Sequence, residues 1–372
     1  SSAMMKMMLG GLCSAATSED SPVSGLPLQA ASMRVIKLKK SNLCIGGCLG
    51  LVMNIKKMRK FQARNSFANF HIFPLSSASD NLNQAMEIRL EQISELAGDL
   101  DHVEGVAVHP DGHIWAGGEA GQIYKIAPDG SKVEEVANTG GFVLGIAFNP
   151  TAEWLAVCDN KQHCVWKYDL GSGELSRFAD GAGDHKFNIP NYPAFDSQGD
   201  LYVSESGEFR QKIGKILKFG ADGKHEVWHA GPFNFANGLA LSPDEKTLYV
   251  ACTWLPGVER IPILEDGSAG ERSVFVTLPQ TCPDGLAFDA EGNLYVSCYA
   301  PNRIYRVTPQ QEVTLLIDDW EGHTLSNPTN IAFGGPEFDQ LYTSNLGRYH
   351  VNQIDFGVEG APLVCHKKTV NS

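Results

Sequence analysis

One phrase returns six times between residues 104 and 345, and this repetition is the feature that most limits how the chain can fold. Each copy begins with a loop residue, followed by a short apolar strand, a turn rich in Gly or Pro, and a second apolar strand. The residues that open the copies, called slot residues here, are Glu104, Leu144, Asn191, Asn237, Asp284 and Thr329. Successive slot residues lie 40, 47, 46, 47 and 45 positions apart. A period near 45 built from short strands is typical of β-propeller blades.

The strands inside each copy are short and alternate apolar with other residues. The first copy reads EGVAVHPDGHIWAGG, and the fifth reads DGLAFDAEGNLYVSC. Runs of about five residues separated by D-G, P-D and E-G turns are β-strand signals, and segments such as 132–136 and 312–316 supply a further strand. The sequence therefore predicts an all-β, six-bladed β-propeller with four antiparallel strands per blade. Residues 88–96 are predicted to complete the sixth blade from the other end of the chain, which removes exposed sheet edges.

The charge distribution predicts two regions. The whole chain carries a formal charge of −13. Residues 1–85 hold ten Lys and Arg against three Asp and Glu, which leaves 20 basic and 40 acidic residues in 86–372. We interpret residues 1–85 as a basic leader that is disordered, a targeting segment or an artefact of the reading frame, and residues 86–372 as the propeller.

Composition also limits the partners and the compartment. An acidic main region argues against nucleic acid, which needs a cationic face. The longest apolar run, residues 43–53, is about half of a membrane span, so no membrane is expected. The nine Cys include no CxxC pair, which favours a reducing compartment. We expect a cytoplasmic monomer or small homo-oligomer that acts on a small molecule, with an organellar or exported location if the leader is a targeting segment.

The slot residues predict a metal site. In a propeller the innermost strands line the tunnel, so equivalent residues face one another near its axis. Glu104, Asn191, Asn237 and Asp284 all offer side-chain oxygen, and their two carboxylates balance one divalent ion. Any one of these residues alone could instead cap a turn. Four in register predict a shared metal site.

Calcium is the predicted ion, because it accepts irregular sets of oxygen ligands. The absence of His and Cys among the slot residues argues against zinc and copper, and magnesium demands a compact octahedron. Another divalent cation, such as Zn²⁺, Mn²⁺ or Mg²⁺, stays an open alternative.

The phrases HVEGVAVHPDG, FANGLALSPDEKTLYV, CPDGLAFDAEGNLYV and NPTNIAFGGPEFDQLY resemble the senescence marker protein, gluconolactonase and luciferin-regenerating enzyme family. The resemblance covers about residues 86–360. It implies a six-bladed propeller hydrolase with a divalent metal at the tunnel mouth. Family ligands match Glu104, Asn191, Asn237 and Asp284, and Asp284 is the implied general base or nucleophile.

The resemblance implies a calcium-dependent hydrolase of a lactone or related ester, with phosphotriester hydrolysis as a side activity. One position departs from the family. Sugar-lactone members carry an Arg two residues before the first Asn, where this chain has Ile189, so a less hydroxylated substrate is expected.

The pocket walls are predicted to come from loops on the same face as the metal site. The candidate substrate contacts are Arg210, Trp254, Tyr299 and Arg348. Two other functions stay open. A tunnel mouth plugged by the loop 204–214 would favour a non-catalytic calcium-binding propeller or interaction platform. A strictosidine-synthase-like enzyme, which belongs to a neighbouring propeller family, would need a catalytic acid such as Glu205 or Glu208.

Overall fold

The computed structural model describes residues 88–367. They form six four-stranded antiparallel sheets, a two-stranded hairpin and a 3₁₀ turn at Leu90–Gln92. The prediction of a six-bladed β-propeller is confirmed. The interpretations of the leader, residues 1–85, lie outside the described residues. Within 88–367 no helix is long and apolar enough to cross a membrane.

The strands follow one order in every blade, from the tunnel outwards. Strand β1 is Ile93–Ala97. Blade 1 contains β2 (Gly105–Val108), β3 (Ile114–Gly117), β4 (Gln122–Ile126) and β5 (Val133–Asn138). Blade 2 contains β6 (Val143–Phe148), β7 (Trp154–Asp159), β8 (Cys164–Asp169) and β9 (Leu175–Ala179), followed by the hairpin strands β10 (Gly181–Ala182) and β11 (His185–Lys186).

Blade 3 contains β12 (Pro190–Phe195), β13 (Leu201–Glu205), β14 (Lys212–Phe219) and β15 (His225–Asn234). Blade 4 contains β16 (Ala236–Leu241), β17 (Thr247–Cys252), β18 (Gly257–Pro262) and β19 (Ser273–Thr277). Blade 5 contains β20 (Cys282–Phe288), β21 (Leu294–Ala300), β22 (Arg303–Val307) and β23 (Val313–Asp318). Blade 6 contains β24 (Pro328–Gly334), β25 (Gln340–Asn345) and β26 (Val351–Asp355).

The sixth blade is completed from the opposite end of the chain, as the sequence predicts. Its sheet runs β1-β26-β25-β24, and β1 pairs with β26 through Ile93 opposite Ile354 and Ser94 opposite Gln353. The strand begins at Ile93, five residues later than expected, because Leu90–Gln92 form a 3₁₀ turn. Each innermost strand contacts the next one round the ring, and β24 contacts β2, so the ring is closed.

Burial explains why alternating apolar strands build this fold. Six apolar clusters fill the six interfaces between neighbouring blades. The cluster between blades 1 and 2, for example, packs Trp115 and Ile123 against Phe148 and Leu155. Because a blade has an apolar face on both sides, only a closed ring buries all of them.

The C-terminal segment 359–367 crosses the tunnel end that lies away from the slot residues. Ala361 N donates to Phe288 O at 2.9 Å, Val364 packs with the cluster between blades 2 and 3, and Lys367 Nζ pairs with Glu245 at 2.6 Å. A cavity of about 120 Å³ lies beneath this segment, walled by apolar residues of the innermost strands. Its lining includes none of the slot residues.

Candidate metal centre

The six slot residues stand at one level of the tunnel, because each blade contacts the slot backbone of the next. A Cβ on Gly105 would lie 2.4 Å from the Leu144 carbonyl oxygen, and one on Gly238 would lie 2.2 Å from that of Asp284. Only glycine allows so close an approach. Hydroxyl groups make the equivalent contacts elsewhere. Ser204 Oγ donates to Asn237 O at 2.7 Å, and Thr329 Oγ1 donates to Glu104 O at 2.8 Å.

The predicted ligands are buried side chains whose oxygens lack partners. Glu104, Asn237 and Asp284 are 0% exposed, and Asn191 is 1% exposed. Within residues 88–367, no hydrogen bond of normal geometry reaches either carboxylate oxygen of Glu104, either one of Asp284 or Oδ1 of Asn237, although the Asn237 amide lies close enough to Asp284 to lower its pKa. Buried polar atoms are normally paired, since leaving one unpaired costs about 1–3 kcal/mol and more for a charge. Five such oxygens in one ring form a donor set suited to a cation.

Two hydroxyl groups fix the orientation of the ring amides. Ser206 Oγ donates to Ala236 O at 2.6 Å, so it can only accept from Asn191 Nδ2, which lies 3.0 Å away. Thr253 Oγ1 donates to Pro283 O at 2.9 Å and in turn accepts from Asn237 Nδ2 at 3.2 Å. Each amide therefore turns its Nδ2 towards the hydroxyl, donates one of its two N–H groups to it and leaves its carbonyl oxygen without a donor.

Burial also changes the proton affinity of the ring carboxyls. Desolvation raises the pKa of Asp284 to about 7, and the Asn237 amide opposes this only in part. Desolvation, followed by the charges of Asp284 and Glu119, raises the pKa of Glu104 well above its usual value. Two negative charges held in one dry ring are unfavourable unless a cation or protons neutralise them.

This donor set fits a divalent cation. Two carboxylates and two amide oxygens supply oxygen ligands with a combined charge of −2, which suits a hard ion such as calcium. Among residues 88–367 no cluster of three or more His, Cys, Asp or Glu side chains could hold a metal. The ring differs from such clusters because two of its four oxygen donors are amides.

An apolar cluster surrounds the tunnel mouth above the ring. Its buried members are Phe142, Leu144, Ile189, Phe235, Tyr299 and Leu346, and Phe209, Trp254, Cys282 and Ala300 pack against it. We call this set the mouth cluster. A cavity of about 20 Å³ beside Asn191 is lined by Phe142, Leu144, Ile189, Phe209, Phe235 and Asn160. That volume holds about one water molecule.

Three of the four predicted substrate contacts lie at this mouth. Trp254 and Tyr299 belong to the mouth cluster. Arg210 is exposed, and its guanidinium carbon stacks 5.4 Å from the centre of the Trp254 ring and 5.5 Å from that of Phe209. Arg348 is exposed on another turn and points its Nη2 towards Gly322 O at 3.5 Å, outside the cluster.

Tyr299 lies close enough to the ring to feel its charges. Desolvation, then the charges of Glu104 and Asp284, raise the pKa of Tyr299 to about 12. Its hydroxyl therefore keeps its proton at neutral pH and can donate to a ligand bound above the ring.

The slot pattern alone did not reveal every residue of this site. The orienting hydroxyls stand 15 and 16 residues after their Asn partners, just beyond the second strand of the blade. Phe142, Ile189 and Phe235 each stand two residues before the slot of blades 2, 3 and 4. Both regularities are visible in the aligned copies and could have been found there.

The comparisons with known proteins agree with this architecture. Regucalcin of Xenopus laevis is 32% identical over 127 residues, which are 32% of this chain and 40% of the relative. Gluconolactonase of Zymomonas mobilis is 28% identical over 191 residues, 46% of this chain and 53% of the relative. The chain thus spans about half the length of the curated relatives it matches. A solved luciferin-regenerating enzyme superposes with a TM-score of 0.62 at 22% identity, covering 73% of this chain and 98% of that one, which shows the shared fold.

The family model described as the SMP-30/Gluconolactonase/LRE-like region matches residues 143–346. This stretch is more than half of the 372 residues, and it contains the slots of blades 2 to 6. The chain belongs to the SMP-30/gluconolactonase/LRE-like family.

Proposed function

We propose that this protein is a calcium-dependent hydrolase of a lactone or a related ester. The observation that carries the proposal is the ring of five buried oxygens, on Glu104, Asn237 and Asp284, that no hydrogen bond of normal geometry from the described residues reaches. The relatives named gluconolactonase and lactonase support the reaction class. The relatives named regucalcin support the choice of ion only indirectly.

Each ring residue has a role that follows from its surroundings. Glu104, Asn191, Asn237 and Asp284 would hold the ion through side-chain oxygen, and Ser206 and Thr253 keep the two amides correctly turned. When bound, the ion would act as a Lewis acid on the substrate's carbonyl or phosphoryl oxygen.

Asp284 is the residue we propose for the proton transfer or for direct attack. Its carboxylate is buried at the tunnel mouth, and the Asn237 amide is the side chain of residues 88–367 that lowers its pKa. A carboxylate with so few competing donors can accept a proton from an attacking water, or attack the ester carbon and break its bond to the leaving oxygen. Tyr299 would donate its hydroxyl proton in a hydrogen bond to the substrate.

One experiment tests the metal and the reaction together. Calcium binding is measured by titration calorimetry, and aliphatic lactones, aromatic lactones, aryl esters and phosphotriesters are screened with calcium and with chelator. We expect calcium binding and hydrolysis that chelator abolishes. Hydrolysis that is insensitive to chelator would contradict the proposal.

A matched pair of variants tests Asp284. Asp284→Asn should reduce kcat at least 100-fold and weaken calcium binding. Asp289→Asn removes a buried carboxylate from the same blade, but that carboxylate already accepts hydrogen bonds from Asn293 and Tyr295. It should cost stability and leave calcium affinity unchanged. Full activity of Asp284→Asn with calcium bound would remove Asp284 from catalysis.

A non-catalytic calcium-binding propeller is the second candidate. The closed mouth favours it, because Phe209 from the loop 204–214 lines the cavity of about 20 Å³ and the ring is fully buried. Calcium binding without chelator-sensitive hydrolysis of any tested substrate would support this function.

The strictosidine-synthase-like alternative finds less support. Glu205 accepts hydrogen bonds from the backbone N–H groups of Asn188, Ile189 and Gly207 at 2.9–3.1 Å, so its carboxylate holds the loop. Glu208 is exposed and accepts a hydrogen bond from Gln211. Neither carboxyl group is therefore available as a catalytic acid inside the tunnel mouth.

A further inference from the structure

We propose that the ring acts on a lactone with an alkyl or aryl substituent and no ring hydroxyls, and that the mouth cluster selects it. This inference rests on the proposed function and names the substrate class of the same site. It is carried by the composition of one wall of the mouth.

The wall formed by blades 2, 3 and 4 is apolar. Phe142, Ile189 and Phe235, the residues two positions before the slots, are 5%, 8% and 3% exposed and pack together. Phe209 stands edge-on to Phe235 and Trp254, with ring centres 6.0 and 5.1 Å apart. An apolar substituent placed here gains contact with aromatic and aliphatic carbon.

The amide of Asn188 and the carboxylate of Glu205 are already committed to backbone partners. Asn188 Nδ2 donates to Gly207 O at 2.8 Å, and the Glu205 carboxylate accepts three backbone N–H groups. Asn191 donates one of its two N–H groups to Ser206. Arg210 lies over the outer rings of Phe209 and Trp254, with its side chain exposed to solvent.

A sugar lactone would therefore lose more hydrogen bonds than it gains. It carries several hydroxyls, and the polar groups in the lining of the cavity of about 20 Å³ that are left to receive them are the Asn160 side chain and the second N–H of Asn191; Tyr299 lies outside that lining and serves the lactone carbonyl. Buried hydroxyls without partners are strongly disfavoured. A substrate without hydroxyls avoids this loss. The wall therefore selects against hydroxyl groups on the lactone rather than against large substrates.

Entry requires side chains to move, because the present cavity holds about one water. Phe209 is the wall residue best placed to do so. It sits on the turn 208–211, whose backbone hydrogen bond from Gln211 N to Glu208 O is internal to the turn, and its neighbours Glu208, Arg210 and Gln211 are exposed. Phe142, Ile189 and Phe235 each lie directly before an innermost strand, which restricts their movement.

The test compares two lactones on the full chain with calcium. The probes are δ-nonanolactone, which carries an alkyl chain, and D-glucono-δ-lactone, which carries hydroxyls. We expect kcat/KM to favour δ-nonanolactone by roughly 100-fold or more. A preference for D-glucono-δ-lactone would overturn this inference and leave the proposed function standing. Hydrolysis of neither lactone with calcium bound would overturn both.

Variants locate the selectivity in the wall. Phe209→Ala, on an exposed turn, should lower kcat/KM for δ-nonanolactone about tenfold and leave D-glucono-δ-lactone unaffected. Ile189→Gln adds an amide to the wall and should reduce the ratio of kcat/KM for δ-nonanolactone to kcat/KM for D-glucono-δ-lactone. The control is Tyr349→Ala, an exposed aromatic that stacks on His102 at the same mouth but outside the mouth cluster. An equal loss on both lactones in Phe209→Ala, or a changed ratio in Tyr349→Ala, would contradict selection by this wall.

Discussion

At the residue scale, Ser206 and Thr253 decide which way the ring amides point. Each hydroxyl donates to a backbone carbonyl of the next blade and so presents only a lone pair to the Asn side chain. Without the hydroxyl, the amide can rotate and place N–H groups towards the ring. An N–H group repels a cation that a carbonyl oxygen would bind.

We therefore expect Ser206→Ala and Thr253→Val to weaken calcium binding by 10- to 100-fold each, the usual cost of losing a group that orients a ligand. Titration calorimetry measures the affinity directly and needs no substrate. The conservative exchanges Ser206→Thr and Thr253→Ser keep a hydroxyl and should retain most of the affinity. Wild-type affinity in Ser206→Ala would show that the amide orientation does not depend on this hydrogen bond.

The sequence could predict the slot residues but not this orientation. Register along the repeats placed Glu104, Asn191, Asn237 and Asp284 at one level, because the blade period repeats the same strand position. The direction of an amide depends on hydrogen bonds that cross between blades, such as that from Ser206 to Ala236 O. The repeat pattern can indicate where the hydroxyl residues stand, but it does not indicate which carbonyl of the next blade each hydroxyl contacts.

At the element scale, β1 is the piece that closes the ring. It is the outermost strand of blade 6, and its residues Ile93 and Ala97 belong to the clusters on both sides of that blade. Removing it would leave the edge of β26 unpaired and open two interfaces. An unpaired edge strand also promotes association between molecules.

A pair of truncations tests this role. A chain starting at Met86 keeps β1 and should melt within about 2 °C of the full chain, whereas a chain starting at Gly98 should melt at least 10 °C lower or form oligomers. Differential scanning calorimetry and size-exclusion chromatography report both effects. Equal melting temperatures would show that three strands suffice for blade 6. A large loss in the chain starting at Met86 would instead contradict our proposal that the propeller begins at residue 86.

The closure of the ring could be predicted from sequence, but the packing of the loop 204–214 over the tunnel mouth could not. The number of copies and the apolar segment ahead of the first one together indicate a ring completed from both ends. The sequence predicts that the loop 204–214 lies on the face of the metal site, but it does not predict how this loop packs. Phe209 reaches Phe235 and Trp254 through the turn conformation at Gly207 and Arg210, both with positive φ, and no repeat pattern encodes an irregular turn.

At the scale of the whole molecule, the ring links ion binding to the stability of all six blades. Its residues lie at or near the start of the innermost strands, and their backbones carry the contacts from blade to blade. Repulsion between Glu104 and Asp284 therefore acts where the blades meet. Proton binding and ion binding both relieve this repulsion, so stability should depend on pH and calcium together.

The sign of the pH dependence follows from the direction of the pKa shifts. The folded protein raises the pKa of Asp284 to about 7 and that of Glu104 well above its usual value, whereas unfolded carboxyls titrate near pH 4. Between about pH 4 and 7 the folded state therefore binds more protons. The stability that these protons confer is lost as the pH rises through the folded pKa values. With chelator present, we expect the free energy of unfolding to fall by a few kcal/mol between pH 5 and pH 8.

Calcium should cancel this loss, because the ion neutralises the same two charges. Denaturant unfolding at pH 5 and pH 8, with chelator or saturating calcium, measures the effect. The double variant Glu104→Gln/Asp284→Asn is the reference, because it keeps every other titrating group of the chain. Comparison with it isolates the contribution of the two ring carboxyls to the pH dependence. In the variant the chelator and calcium curves should coincide at both pH values. The quantity to compare is the difference in free energy of unfolding between the chelated wild type and the double variant. If this difference were the same at pH 5 and pH 8, the two carboxyls would not be confined in a shared dry ring.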